Sequence, residues 1–108
     1  MNWEQLTDLQ QLKQLTEASY QVPVLFFKHS TRCSISVMVL NRFEREWNNM
    51  TVHPYFLDLL NYREVSNQIA IFFEIEHQSP QVLLIKDGSC VYHASHNAID
   101  AHVINEFC

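Results

Sequence analysis

Apolar residues recur in two different spacings along this chain, and the switches between them mark its elements. Val24-Leu25-Phe26-Phe27 is an unbroken apolar run that continues through Lys28-His29 to a polar turn at Ser30. That pattern predicts a buried core strand over 24–29. Thr31-Arg32 carry the chain round, and Cys33-Ser34-Ile35-Ser36 then open a stretch with a helical period. Ile35, Val39, Phe43 and Trp47 recur at fourfold spacing, with Arg42, Glu44, Arg45 and Glu46 mostly on the wet side. An amphipathic helix to about Trp47 follows, with Ile35 inward and Asn48-Asn49 stopping it.

The remaining elements read the same way. Trp3 to Leu6 suits a short edge strand, and Thr7 with Gln10 suits a capping box for a first helix carrying Leu9, Leu12 and Leu15 inward. Tyr55-Phe56-Leu57-Asp58-Leu59-Leu60 predicts a second core strand. A third helix spans roughly Arg63 to Phe73, with Val65, Ile69 and Phe72 or Phe73 inward. Gln81 to Lys86 and Cys90 to Ala94 flank Asp87-Gly88 as a β-hairpin. Asn97 to Phe107 then predicts a closing helix. After the first helix the order is βαβαββα. Strands joined by a helical crossover run parallel, and the hairpin adds an antiparallel edge. The expected fold is α/β: a mixed central sheet of four to five strands with helices on both faces, in one domain over 1–108.

Composition narrows the function. A formal charge of −5 with no basic cluster argues against nucleic acid, whose phosphates demand Lys/Arg patches. The longest apolar stretches fall far short of the ~20 residues needed to span a bilayer, so no membrane role is expected. The start, Met1-Asn2-Trp3-Glu4-Gln5, has neither the basic opening nor the apolar run of a signal peptide. Three cysteines, an odd number, do not make a secreted disulfide framework. A cytoplasmic protein with reduced thiols is expected. A single glycine rules out a phosphate-cradling loop and a serine nucleophile elbow. Six histidines and three cysteines offer metal ligands, but no CxxC, HxxxH or HExxH spacing gathers them, so no metal is expected. A cysteine hydrolase would need an oriented base, and no orienter for His96 or His29 is evident.

The candidate chemistry is Cys33. A thiol between a strand and a helix N-terminus meets the positive end of the helix dipole and unpaired N–H groups, which favour the reactive thiolate. Where a CxxC redox motif places its second cysteine, this chain has Ser36. The pattern is that of a one-thiol redox site with Thr31, Arg32, Ser34 and Ser36 as its loop. Arg32 either favours the thiolate by its charge or is simply solvated. His29 either lines the pocket or is a strand-end histidine with ordinary hydrogen bonds. With Asp87-Gly88 as the hairpin tip, facing residues have numbers summing to about 175, so Pro80 lies opposite Ser95 and His96 follows. Ser79, Pro80, Ser95 and His96 then share the Cys33 end of the sheet. Pro80 is a candidate cis proline, a state of only about 5% of X–Pro bonds. His77 reads as a loop residue capping the third helix, with a role in the site as the alternative. Cys90 lies about 23 Å along the strand from Pro80, beyond the ~7 Å a disulfide permits, so it cannot resolve Cys33. Cys108 reads as an incidental terminal thiol, with a redox role as the alternative.

Lys28-His29-Ser30-Thr31-Arg32-Cys33-Ser34-Ile35-Ser36 resembles the KHSTxCPIS signature of the YtxJ family, monothiol bacilliredoxin-like proteins of the bacillithiol system. The resemblance continues through Arg63 to Asn67, His77 to Gln81 and His93 to His96, nearly the whole chain. It implies a thioredoxin-like fold, a cis Ser79–Pro80 peptide beside the nucleophile, and thiol–disulfide exchange at Cys33. The implied partners are S-thiolated client proteins and a low-molecular-weight thiol, bacillithiol or similar, as co-substrate with no bound cofactor. Ser34 replaces the family's usual proline, and Asn97 the tryptophan that commonly follows the Ser-His pair. Phe27 stands where thioredoxins keep a buried carboxylate, consistent with a site lacking a second thiol. Two readings without exchange stay open: a thioredoxin-like adaptor module, and a cysteine redox sensor.

Overall fold

A computed structural model describes residues 1–107. Its elements are β1 (Glu4–Gln5), α1 (Leu9–Ala18), β2 (Val24–His29), α2 (Ser34–Glu46), β3 (His53–Asp58), α3 (Arg63–Phe73), β4 (Gln81–Lys86), β5 (Ser89–Ser95), a 3₁₀ turn (His96–Ala98) and α4 (Ala101–Asn105). The five strands form one sheet in the order β1-β3-β2-β4-β5. β1, β3 and β2 run parallel, and β4 and β5 are antiparallel additions. This is the mixed α/β sheet expected from the sequence.

β2 is the central strand and is buried along its whole length. Because side chains alternate across a strand, its residues divide between two cores. Val24 and Phe26 join Leu12, Leu15, Val65 and Ile69 beneath α1 and α3. Leu25 and Phe27 join Val39, Phe43, Ile99 and Ile104 beneath α2 and α4. Each face buries several large apolar side chains, at about 1.5–3 kcal/mol apiece.

Several boundaries differ from expectation. β3 covers 53–58 rather than 55–60, because the Asp58 carboxylate accepts from Leu60 N–H at 3.2 Å and Asn61 Nδ2 at 2.7 Å and turns the chain. Pro54 is tolerated within β3 because β1 pairs only Tyr55 and Phe56, leaving that side unpaired at Pro54. α1 is capped by Asp8, whose Oδ1 accepts from Gln11 N–H at 2.7 Å, while Gln11 Oε1 accepts from Thr7 N–H. The capping box therefore starts one residue later than Thr7. In α2 the inward position of the first turn belongs to Ser36, and Ile35 is 45% exposed. In α3, Phe72 points outward and Phe73 packs on the core.

The closing helix is broken in two. His96–Ala98 forms a single 3₁₀ turn, and Asp100 starts α4 afresh by accepting from His102 N–H at 2.9 Å. The hairpin turns at Asp87 (φ 53°) and Gly88 (φ 76°), both left-handed, as an Asp-Gly turn requires. It is docked on the end of α1, where Ser19 accepts from Asp87 N–H through its carbonyl and from Gly88 N–H through its hydroxyl. No helix among the described residues is long and apolar enough to cross a membrane.

Candidate functional site

β2 delivers the chain to its C-terminal end, and a short turn hands it to α2. Cys33 is the N-cap of α2, with extended backbone at φ −111° and ψ 115°. Its carbonyl accepts from Val37 N–H, starting the helix, and its own N–H donates to Ser30 O at 3.2 Å. The thiol is half-buried, while Thr31, Arg32 and Ser34 around it are exposed. A sulfur at the first turn of a 13-residue helix stands beside N–H groups that lack intrahelical partners.

The floor of the turn is polar and hydrogen-bonded through Ser36. Ser36 is buried, and its hydroxyl lies 2.7 Å from His29 Nδ1 and accepts from Ser30 N–H at 3.2 Å. Since Ser30 occupies an acceptor site, the Ser36 proton is free to donate to Nδ1. That arrangement suits a neutral His29. Burial lowers the His29 pKa, against a weaker opposite pull from Asp58 and Glu44. The ring also packs on Phe56, with centroids 5.3 Å apart. His29 therefore sits under the thiol turn rather than merely at a strand end.

The Ser79–Pro80 peptide is cis. Gln81 pairs with Lys28, so Pro80 lies level with His29 at the same end of the sheet as Cys33. The β5 side is displaced by one residue from the simple hairpin count. Ser95 faces Gln81 rather than Pro80, because a bulge between Leu84 and Ile85 leaves Val91 unpaired on β5. His96 N–H instead donates to Pro80 O at 3.0 Å, and His96 takes a left-handed φ of 53°. Ser79 Oγ is buried without a hydrogen-bond partner among the described residues. The structure thus gathers Cys33, Ser36, His29, Ser79, Pro80, Ser95 and His96 at one end of the sheet.

Cys90 is far from this end. It pairs with Ile85, which pairs with Val24 at the start of β2, roughly 16 Å of strand away from His29. Burial raises its pKa, and its thiol donates to Tyr92 O at 3.4 Å. Cys108 lies outside the described residues.

Two residues beneath the site were not singled out by pattern. Lys28 is wholly buried within β2, on the α3 side of the sheet, and Gln81 is buried beside it on β4. A lysine inside an apolar strand is the signal that marks the first. His77 does not cap α3: Glu74 does so, in a left-handed conformation, while His77 Nδ1 turns to Lys28 Nζ and Ser66 Oγ.

Known proteins share this fold. A family model described as monothiol bacilliredoxin BrxC matches residues 4–104. A solved structure described as a proposed oxidoreductase with a thioredoxin fold is 27% identical, with a TM-score of 0.77 over 93% of this chain and 88% of that one. Thioredoxin from Malassezia sympodialis superposes with a TM-score of 0.74 at 16% identity, over 95% of this chain and 84% of that one. Fasciola hepatica thioredoxin gives 0.73 at 16% identity, covering 95% and 93%. The two thioredoxins share the fold.

Proposed function

This chain belongs to the monothiol bacilliredoxin family, and from that premise we propose that it strips a small thiol of the bacillithiol type from client proteins through Cys33. The observation that carries the reading is the N-cap position of a half-exposed Cys33, with a serine three residues on whose hydroxyl is engaged elsewhere. The family and the fold support a thiol redox function.

The reaction proceeds in two exchanges. The Cys33 thiolate attacks the small-thiol sulfur of a client mixed disulfide. That S–S bond breaks, the client leaves as a thiolate and takes up a proton, and the small thiol stays on Cys33 as a new disulfide. With Ser36 in place of a second thiol, and Cys90 at the far end of the sheet, the adduct waits for an external thiol. A second small-thiol molecule attacks the adduct, forms the symmetrical disulfide and restores the Cys33 thiolate. The small thiol is the reductant and the client disulfide the oxidant. Arg32 and Thr31 line the exposed approach, and the backbone at Ser79–Pro80, with Ser95 and His96 beside it, receives an extended client segment. The reducing cytoplasm is where such an exchange has a standing supply of small thiol.

Release of bacillithiol from a modified client, followed with Cys33→Ser and Cys90→Ser variants, tests the reading. Loss in the first and retention in the second is expected. Full release by Cys33→Ser would exclude it, whereas no release by the wild-type protein would leave the adaptor reading in its place.

A further inference from the structure

Lys28 is a buried cation that the exchange reaction does not use. It is fully buried, yet among the described residues no carboxylate lies in ion-pair range of it. Its Nζ donates to Ser66 O at 3.2 Å and to His77 Nδ1 at 3.3 Å. Burying an ammonium without a counter-charge is costly, and a well-packed apolar side chain in its place is commonly neutral or stabilising. Lys28 thus costs stability where it sits, and its two bonds indicate what it does.

Those bonds hold the connection between α3 and β4. His77 lies three residues before Pro80, in the 74–80 loop that leads into the client-facing Ser79–Pro80 peptide. The loop is also tied by Gln81, the cross-strand neighbour of Lys28: its Nε2 donates to Glu76 O at 3.0 Å, and its Oε1 accepts from Gln78 N–H at 3.4 Å. Gln81 holds the loop backbone through bonds that do not titrate. Lys28 holds it through a bond that does, because an ammonium has only donors and His77 Nδ1 can accept only while it carries no proton. Protonation of that nitrogen would set two cations against each other. Burial is the main influence disfavouring the protonated form of His77, and the charged groups facing it, Lys28 from β2 and Arg63 from α3, act in the same direction.

We propose that Lys28, acting through His77, is a positioning residue for the 74–80 loop, and that protonation of His77 releases the loop and weakens client binding. The inference rests on the reading that clients dock at Ser79–Pro80. Cys33 lies on the far side of β2 from this contact, so the control acts on client affinity rather than on the sulfur.

The test is steady-state transfer from a client protein carrying one bacillithiol, measured from neutral pH down to about pH 5. The wild-type KM for the client is expected to rise about fivefold on acidification, the order of one hydrogen bond, with a smaller change in kcat than in KM. Lys28→Met is expected to show the raised KM already at neutral pH while remaining folded. His77→Gln retains an uncharged acceptor, so its KM should stay low and flat with pH. Dividing wild-type values by those of His77→Gln removes the shared pH dependence of the thiolate chemistry. An unchanged KM in Lys28→Met, or a His77→Gln profile that rises like the wild type, would overturn the inference while leaving exchange at Cys33 intact. Failure of the wild-type protein to accept the small thiol from any client would overturn both.

Discussion

The Ser36 hydroxyl lies 2.7 Å from Nδ1 of His29, placing a neutral histidine–serine pair beneath the Cys33 turn. Ser36 occupies the position where a dithiol protein would hold its second sulfur. Here that position locks the turn instead, through Ser30 on one side and His29 on the other. The arrangement explains how a site with one thiol keeps a defined shape.

Removing the hydroxyl should therefore cost stability. Ser36→Ala leaves the buried Ser30 N–H and His29 Nδ1 without their partner, at about 1–3 kcal/mol. Chemical denaturation of the variant checks this, and a loss below a few tenths of a kcal/mol would show that the pair carries little.

Acid should weaken the fold in part through His29. Burial lowers its folded pKa below the ordinary value near 6.5, so the unfolded chain binds more protons in the window beneath that value. Stability then rises with pH across that window and is lost as pH falls through it. His29→Asn should flatten part of this slope in thermal melts recorded at successive pH values. Some slope persists, because His77 is shifted in the same direction.

Lys28 gives an effect at the alkaline end. Its pKa is lowered by burial from 10.5 to about 8, so the cost of holding it charged is complete below pH 8. That cost, roughly 3 kcal/mol, fades as pH rises from about 8 toward 10.5, because only the folded state has released its proton. Lys28→Met should accordingly raise the melting temperature at neutral pH and abolish the alkaline gain. A destabilised Lys28→Met would show that its hydrogen bonds outweigh the burial cost.

Gly88 is required chiefly by its turn, since the Tyr20 side chain it approaches is exposed and can move. An added Cβ would lie 2.5 Å from the Tyr20 hydroxyl, in a backbone with φ 76°. Gly88→Ala should lose about 1–3 kcal/mol on denaturation. No loss would mean that the turn relaxes to a conformation alanine adopts without strain.

Much of the site was legible because its signals are local. A cysteine after an apolar strand and before a helical period places Cys33 without any long-range information, and Asp87-Gly88 names its own turn. What escaped depends on contacts between distant segments. The bulge at Val91 shifts Ser95 by one partner, and nothing in the local pattern marks it. Fourfold spacing from Val39 places Ile35 inward, but the buried stripe of α2 runs through Ser36, Val39 and Phe43, which leaves Ile35 exposed. Asp100 read as one more helical residue, yet its side chain caps a new helix and divides the last segment. Lys28 and His77 meet across 49 residues of sequence, so their pairing becomes visible only when β2 and the α3–β4 loop are in place.

In the proposed exchange, Cys33 itself receives the small thiol. Mass analysis with peptide mapping, after mixing the protein with a client that carries a single bacillithiol, reads this directly. One bacillithiol on Cys33 with equal release of reduced client is the predicted result. An unmodified Cys33 beside an unchanged client would contradict it.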